Sequence, residues 1–250
     1  MLISSRNNPT VKKILSLQEK KYRALYGEYI VEGKKSVAEC IAAGKAVTLV
    51  VRANAAADFE TGTLPVLDVT DDVFSKISSE KAPQGVLCLV RIPEKRVSPP
   101  TGNALLLDGI ADAGNLGTII RTANAAGYED IYLLCCADPY SPKTVRASMS
   151  GVFHTRLHVG SAEEIFSALA GLPLVAADLD GENIFDFTPP APFCLCIGNE
   201  GHGLSEETKA RRKYVVTIPM RSTQESLNAG VSAGIAMYVL KRAQREAAKR

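Results

Sequence analysis

The chain has 250 residues, a formal net charge of +2, 46% hydrophobic residues and 22% charged residues. This composition excludes an intrinsically disordered chain, and no apolar run approaches the roughly 18 residues that a membrane-spanning helix needs. At roughly 150 residues per domain, the length predicts one or two domains. The first residues lack the apolar segment and cleavage site of a secretory signal, so we expect a cytoplasmic protein with no membrane partner.

The cysteines and histidines disfavour a disulfide-linked or metal-binding protein, and the distribution of charge is compatible with a polyanionic partner. The six cysteines show no C-x-x-C spacing, and we expect them to stay reduced as small core side chains. His154 and His158 have no third candidate ligand nearby, so no metal is expected. Residues 1–35 contain eight Lys or Arg against three Glu. Such a charge run is usually a solvated face, but a basic end also suits a polyanion.

The first 95 residues predict a small α/β domain. Asn7 or Asn8 can cap a helix with Pro9 in its first turn, and this helix is predicted to run to Gly27. Apolar spacing then predicts a strand at 29–31, a helix at 36–43, a strand at 47–51, a helix capped by Thr70 and a strand at 86–90. Nothing in this part of the sequence points to catalysis.

The segment RIPEKRVSPPTGN at 91–103 is rich in proline, glycine and charge, which favours a linker. We therefore predict domains at 1–95 and 104–250, joined by a linker at 96–103. In the second domain, strands are predicted at 104–107, 131–134, 156–159, 174–177, 193–197 and 215–218, and helices at 116–126, 162–169 and from 229 onward. Strands that alternate with helices predict a largely parallel sheet covered on both faces.

Three strands of the second domain are followed by unusual polar motifs. Ligands bind where the strands of parallel sheets end, because loop amides and helix amino termini converge there. In the first motif, LLLDGIADAGNLGTIIRTANAAG at 105–127, three polar residues follow a strand, namely Asp108, Asp112 and Asn115. Arg121 lies on the outward side of the next helix. An outward arginine is most often only solvated.

The second motif, IGNEGHGL at 197–204, contains three glycines, which indicate positive φ angles or close approach of the backbone to another group. Its G-x-x-G-x-G spacing differs from that of dinucleotide and nucleotide-triphosphate loops, so those two functions lose support. The third motif, IPMRSTQESLNAGVSAGIAMYVL at 218–240, places Ser226 and Asn228 before the last helix. Either side chain could simply cap that helix, but the three motifs together favour one shared site.

In this order, the three motifs resemble those of the SpoU/TrmH-type RNA 2'-O-ribose methyltransferases of the SPOUT superfamily. The resemblance covers nearly all of residues 104–240, including RASMSGVFHTRLHVG at 146–160. Residues 4–90, with SSRNNPTVKKILSL, KYRALYGEYIVEGKK and PQGVLCLV, are similar to the L30e-like RNA-binding domain of ribosomal RNA methyltransferases. One departure is that Ala229 and Gly230 follow Asn228 where the family usually has Val and Ser or Ala, which predicts looser packing there.

The resemblance implies an α/β fold, namely a parallel-sheet SPOUT fold with a C-terminal trefoil knot, preceded by a small L30e-like α/β domain. Physical rules alone would not predict a knot, because knots are rare. The resemblance also implies S-adenosylmethionine as the cofactor, with Gly198, Ile218 and Leu227 at the positions that hold it. The polar residues that match the family's active site are Asn115, Arg121, Glu200, Ser226 and Asn228.

The implied activity is methyl transfer to a ribose 2'-hydroxyl, with ribosomal RNA as the expected substrate and a homodimer that packs near the knot and the last helix. Because a guanidinium keeps its proton, we expect Arg121 to clamp an RNA phosphate and stabilise developing charge, although its role as a base stays open. Asn115 would orient the ribose or Arg121, and Glu200 would fix Arg121 or a loop amide. Ser226 and Asn228 would shape the donor pocket.

Two other classes of function stay open from the sequence. One is a noncatalytic RNA-binding factor for ribosome assembly that uses only the amino-terminal domain. The other is a base methyltransferase acting on a guanine ring nitrogen, or a tRNA methyltransferase, of the same superfamily.

Overall fold

A computed structural model describes residues 2–53, 59–94 and 96–249. The strands are β1 (Leu2–Ile3), β2 (Glu28–Glu32), β3 (Ala46–Arg52), β4 (Val66–Val69), β5 (Val86–Arg91), β6 (Ala104–Asp108), β7 (Asp130–Leu134), β8 (Arg156–Val159), β9 (Leu174–Asn183), β10 (Cys194–Ile197) and β11 (Tyr214–Thr217). The helices are α1 (Pro9–Ser16), α2 (Lys20–Tyr26), α3 (Lys34–Ala42), α4 (Asp71–Ile77), α5 (Ala113–Ala126), α6 (Pro142–Ala147), α7 (Gly151–His154), α8 (Ala162–Ala168), α9 (Glu206–Arg211) and α10 (Ala229–Ala247).

The chain forms two compact units, Met1–Glu94 with Tyr140–Phe153 and Lys95–Pro139 with His154–Arg250. The segment Tyr140–Phe153 thus belongs to the first unit although it lies within the predicted second domain, and a domain boundary at 96–103 stays a prediction. None of the described helices combines the length and the apolar character that crossing a membrane requires.

The first unit contains a mixed five-stranded sheet in the order β1-β4-β3-β5-β2. β5 runs antiparallel to β2 and β3, whereas β4 runs parallel to β1 and β3. The segment Tyr140–Phe153 adds α6 and all of α7 except its last residue, His154, to this unit. It is held by ring contact between Tyr140 and Tyr29, whose centroids are 5.0 Å apart, and by an ion pair of Arg146 with Glu80.

The amino-terminal helix is shorter than the sequence predicts. Asn8 caps α1 by accepting a hydrogen bond from Thr10 N at 2.8 Å, and α1 ends at Ser16. The buried Arg23 guanidinium donates to the Leu17 carbonyl at 2.7 Å. The prediction of one helix up to Gly27 is therefore wrong, because the chain turns after α1 and a side chain of α2 satisfies the carbonyl freed there.

The second unit contains a six-stranded sheet in the order β11-β9-β10-β6-β7-β8. Every neighbouring pair in it is parallel, as predicted. All residues of β6, β7 and β10 are buried, which is the pattern of strands covered on both faces. The trefoil knot implied by the family resemblance stays a prediction.

A buried charge network on Asp130 joins the amino ends of β7 and β8. Its carboxylate accepts hydrogen bonds from Arg156 Nε at 2.7 Å and Thr101 N at 3.0 Å, and His158 Nε2 lies 2.9 Å away. Burial alone would raise the pKa of Asp130, but these hydrogen bonds outweigh it and lower the pKa to about 2. His158 is thus part of this network, whereas His154 ends α7. Within the ranges that the structure describes, no group of three or more potential ligands could hold a metal.

Candidate functional site

Three loops leave the carboxyl-terminal edge of the parallel sheet in the second unit. We call them the first loop (109–112, after β6), the second loop (198–205, after β10) and the third loop (218–228, after β11). β10 pairs with β6 in register from Cys194 opposite Ala104 to Ile197 opposite Leu107. The first and second loops therefore start side by side.

The second loop folds back on itself at its glycines. Backbone hydrogen bonds of 2.9 Å join Asn199 and Gly203 in both directions, and Gly203 has φ of +67°. A Cβ at position 198 would lie 2.3 Å from the Gly203 carbonyl carbon, which no side chain permits. Gly198 and Gly203 are therefore required by close approach and by a left-handed backbone, as the sequence suggested.

The second loop is tied at one end to the first residue of the first loop and at the other end to the last residue of β6. At one end, Asn199 Nδ2 donates to the Gly109 carbonyl at 2.8 Å. At the other end, the buried Asp108 carboxylate accepts from Ser205 N at 2.9 Å, Ser205 Oγ at 2.7 Å and Thr208 Oγ1 at 2.6 Å. Two consecutive residues at the end of one strand thus fix the loop and the start of α9.

A chain of side-chain hydrogen bonds connects all three motifs. Asn115, in the first turn of α5, donates from Nδ2 to the Glu200 carboxylate of the second loop. Asn115 Oδ1 in turn accepts from Asn228 Nδ2 at 3.0 Å, at the end of the third loop. Glu200, Asn115 and Asn228, which are far apart in the sequence, therefore lie together as one polar cluster.

Asn228 has two roles at once. Its Oδ1 accepts hydrogen bonds from Gly230 N at 3.0 Å and Val231 N at 3.2 Å, so it caps α10 as the simpler interpretation of the sequence held. Its Nδ2 is left to bind Asn115. Gly230 leaves no gap: a Cβ there would lie 3.3 Å from Thr118 Cγ2, so the glycine allows α10 to pack closely on α5, and the expected looser packing is wrong.

Arg121 points outward from α5, as its helical position predicted. The opposite face, formed by Leu116, Ile119, Ile120 and Ala123, is fully buried. Arg121 is exposed and forms no hydrogen bond or ion pair with any residue that the structure describes. Its guanidinium is therefore available to an external anion.

A cavity of about 340 Å³ opens beside the polar cluster. Gly198, Ile218 and Leu227, the three positions expected to hold the cofactor, all line it, and so do Glu200 and Ser226. Asn115, Arg121 and Asn228 are not part of its lining. The apolar walls formed by Ile218 and Leu227 suit a flat heterocycle, and the volume lies in the range of small-molecule sites. The residues present therefore fit an adenosine-containing cofactor.

Titratable groups around the cavity differ in their partners. Asp178 is paired with Arg212 at 2.9 Å, whereas Glu200 and His202 form no ion pair with the described residues. Beside the first loop, burial raises the pKa of the Cys136 thiol to about 12, and this thiol donates to the Leu107 carbonyl at 3.1 Å. Cys136 therefore stays protonated and is no nucleophile at neutral pH.

Comparison with known proteins decides the family. The model of the SpoU rRNA methylase family matches residues 102–238, which contain all three loops. The chain belongs to the SpoU rRNA methylase family. A second model, for an MRM3-like substrate binding domain, matches residues 8–88. The expected family and the expected fold class, a parallel-sheet domain after a small α/β domain, are confirmed.

Relatives of this SpoU-family protein match over almost its whole length. A 23S rRNA (guanosine(2553)-2'-O)-methyltransferase, RlmP of Bacillus subtilis (strain 168), is 29% identical over 96% of this chain and 98% of its own. The crystal structure of an AdoMet-bound rRNA methyltransferase from Sinorhizobium meliloti is 32% identical, covers 97% of both chains and has a TM-score of 0.86. The SpoU methyltransferase AviRb from Streptomyces viridochromogenes, in complex with AdoMet, is 27% identical over 96% of this chain and 99% of its own, with a TM-score of 0.86.

Three residues of this SpoU-family site have no role predicted from the sequence. Asp108 was visible as the first polar residue after a strand, but its partners Ser205 and Thr208 lie about a hundred positions away. Asn199 and His202 stand between the glycines of the second motif, and no sequence pattern distinguishes them as site residues. Asn199 organises the loop, since its Oδ1 also accepts from Gly201 N at 2.8 Å and His202 N at 3.2 Å.

Proposed function

We propose that this protein transfers a methyl group from S-adenosylmethionine to a ribose 2'-hydroxyl of ribosomal RNA. The observation that carries the proposal is the cluster of Glu200, Asn115 and Asn228, joined across three loops beside a cofactor-sized cavity. Membership of the SpoU family and the named activity of the Bacillus subtilis relative support the enzyme class and the substrate. AdoMet in two similar structures supports the cofactor.

In this proposal the cavity binds the cofactor through Gly198, Ile218 and Leu227. Gly198 packs directly against the backbone of the second loop and lines the cavity without a side chain, while Ile218 and Leu227 would hold the adenine ring against apolar walls. S-adenosylmethionine, when bound, supplies an electrophilic sulfonium methyl group. Ser226 lies on the same wall and shapes the donor end of the pocket.

The acceptor side of the site is assigned to Arg121 and the polar cluster. Arg121 carries a permanently charged guanidinium with no hydrogen-bond or ion-pair partner among the described residues. In this proposal it clamps an RNA phosphate and stabilises negative charge that develops on the 2'-oxygen. Asn115 is held between Glu200 and Asn228, so its amide is fixed in orientation for a ribose hydroxyl. The hydroxyl proton leaves to a neighbouring acceptor or to water. Holding the reacting atoms in line is worth up to roughly 7–11 kcal/mol.

The proposal also includes a cytoplasmic homodimer. Val231 and Tyr238 are 51% and 53% exposed and lie on the same side of α10, beside the half-buried Ile235, which suits a second copy packing on this helix. All six cysteines are free, which suits a reducing compartment. The first unit would contribute RNA affinity through its basic amino-terminal segment, as the match to a substrate binding domain supports.

Replacement of Arg121 by Ala tests the assignment. Methyl transfer from labelled S-adenosylmethionine to ribosomal RNA should fall by at least about a hundredfold, on the scale of losing one preorganised charge stabiliser. The affinity for S-adenosylmethionine, measured by calorimetry, should stay within about twofold because Arg121 is not part of the cavity lining.

Arg211→Ala is the matched control, since Arg211 is also an arginine on a helix of the same unit and is paired with Glu207. It should keep full activity. Retained turnover in the Arg121 variant would contradict the role of Arg121. Methyl groups on a base instead of a ribose would contradict the reaction itself.

A further inference from the structure

Helix α2 presents an aromatic surface to solvent. Leu25 is 69% exposed and Tyr26 is 43% exposed, although both are large and largely apolar. The half-buried Tyr22 lies one turn before Tyr26, and the two rings stack with centroids 6.4 Å apart and planes inclined by 18°. A single exposed apolar residue is ordinary, but the half-buried Tyr22 and the exposed Leu25 and Tyr26 together form an apolar patch. Such patches commonly mark binding sites.

Two lysines frame this aromatic surface. Lys21 Nζ lies 4.7 Å from the centroid of the Tyr22 ring, and Lys13 Nζ, from α1, lies 5.3 Å from the centroid of the Tyr26 ring. Both are within the distance at which an ammonium interacts with a ring face. Each also has an acidic neighbour, Glu19 for Lys21 and Glu28 for Lys13.

The whole α1–α2 segment is basic. Residues 9–27 contain five Lys or Arg against one Glu. Arg23 is buried and satisfies a backbone carbonyl, so the four lysines provide the outward charge. The segment keeps a net positive charge although Lys13 and Lys21 are paired with Glu28 and Glu19. A polyanion with flat apolar rings would therefore match both the charge and the aromatic surface.

We propose that Lys13, Lys21, Tyr22, Leu25 and Tyr26, here named the stacking face, bind an unpaired base of the RNA substrate. The base takes a ring face that Lys21 or Lys13 covers in the free protein, and Leu25 packs beside it. The displaced lysine then contacts an adjoining phosphate. This inference rests on the proposed function, because it specifies which part of the RNA the first unit binds. Proteins bind unpaired nucleotides by stacking on aromatic side chains, whereas the paired bases of a duplex are not accessible to them.

Affinity for single-stranded RNA tests the stacking face in the full-length protein. The probe is a fluorescein-labelled 12-nucleotide RNA of mixed sequence, compared by anisotropy with a duplex of the same sequence. Tyr26→Ala should weaken binding of the single strand by about 5- to 100-fold, on the scale measured for the loss of one stacked base, and binding of the duplex by less than twofold. Tyr26→Phe keeps the ring and should bind like the wild type.

Salt dependence separates stacking from phosphate contact. Lys21→Gln should reduce the slope of log affinity against log salt by about 0.7, the value for one phosphate contact on a single strand. Tyr26→Ala should leave that slope unchanged. Lys76→Gln is the matched control, because Lys76 is an exposed lysine on α4 of the same unit, outside both the stacking face and the basic residues 1–35, and it should change neither affinity nor slope.

A fluorescence signal reports stacking directly. The chain contains no tryptophan, so Tyr26→Trp introduces a single fluorophore at the stacking face. Saturation with the single-stranded probe should quench its emission at least twofold, and the duplex should not. Unchanged emission with both RNAs would contradict stacking at this position.

Two further results would overturn the proposal. One is an unchanged single-strand affinity in both Tyr22→Ala and Tyr26→Ala, which would assign the stacking face to a protein partner instead. The other is an equal loss for single strand and duplex. The Tyr26→Ala variant should unfold at the same urea concentration as the wild type, because the Tyr26 side chain is exposed. Methyl transfer is scored separately, so failure of the enzyme assay with intact oligonucleotide stacking would reject the proposed function and not the stacking face.

Discussion

Asp108 offers a sharp test of how the second loop is held. Its carboxylate accepts three hydrogen bonds of 2.6–2.9 Å from Ser205 and Thr208 while almost fully buried. Hydrogen bonds to a charged group contribute about 1.5–3 kcal/mol each and are not additive. All three donors point at the same oxygen, Oδ2, so Asp108→Asn can keep these contacts through its amide oxygen but loses the charge that strengthens them. The free energy of unfolding should therefore fall by about 1–2 kcal/mol, measured by urea denaturation.

The same substitution should act on the cofactor. The second loop lines the cavity, and Asp108 fixes its carboxyl end. In the variant, the loop is less well held before the cofactor binds. Part of the binding free energy is therefore spent on ordering the loop, and the affinity falls. A cost of about 1.4 kcal/mol corresponds to tenfold weaker binding of S-adenosylmethionine by calorimetry. Asp130→Asn is the control, because it also alters a buried, hydrogen-bonded carboxylate, but at the amino-terminal edge of the sheet. It should destabilise the fold without changing that affinity, and equal losses of affinity in both variants would refute the reasoning.

Three more predictions follow from the geometry. Gly198→Ala should abolish cofactor binding, measured by calorimetry, because the added Cβ would lie 2.3 Å from the backbone of Gly203. Gly201→Ala is the control and should bind the cofactor normally, because a Cβ at position 201 meets only a side-chain oxygen at 3.5 Å. Leu227→Asp should weaken cofactor binding at least about tenfold, because it places a charge in the apolar wall of the cavity. An unchanged affinity by calorimetry would contradict the assignment of this cavity to the cofactor. The pKa of Asp130, near 2 in the fold and near 3.9 unfolded, means that its stabilisation is present above about pH 4 and is lost as the pH falls toward 2. Asp130→Asn should therefore flatten the decline in unfolding free energy over that range, and an unchanged decline would contradict it.

Much of the second unit could be predicted from the sequence, because its buried strands are continuous apolar runs. The predicted strand at 104–107 is extended by one residue in β6, and the predicted helix at 116–126 begins three residues earlier, where Asp112 caps α5. Short elements escaped prediction. β4 (Val66–Val69) exists through pairing with β1 and β3, and α9 (Glu206–Arg211) is six residues long, too short for a helical period to show.

The site could be predicted as a set of loops but not as a set of contacts. The family resemblance placed Glu200 and Asn115 in the same site, yet their hydrogen bond spans 85 positions. The role expected for Glu200 was to fix Arg121 or a loop amide. Register between β10 and β6 creates that contact, and no local pattern encodes register. The partners of Asp108 could not be predicted for the same reason, because Ser205 and Thr208 reach its carboxylate only once the strands are paired.

The position of the transferred methyl group tests the central claim most directly. Purified protein would be incubated with S-adenosylmethionine carrying a deuterated methyl group and with ribosomal RNA from cells that lack this protein. The RNA would then be digested to nucleosides for mass spectrometry. We predict one 2'-O-methylated nucleoside that carries the label on its ribose. A label on a base, or no label in RNA despite calorimetric binding of the cofactor, would contradict the account.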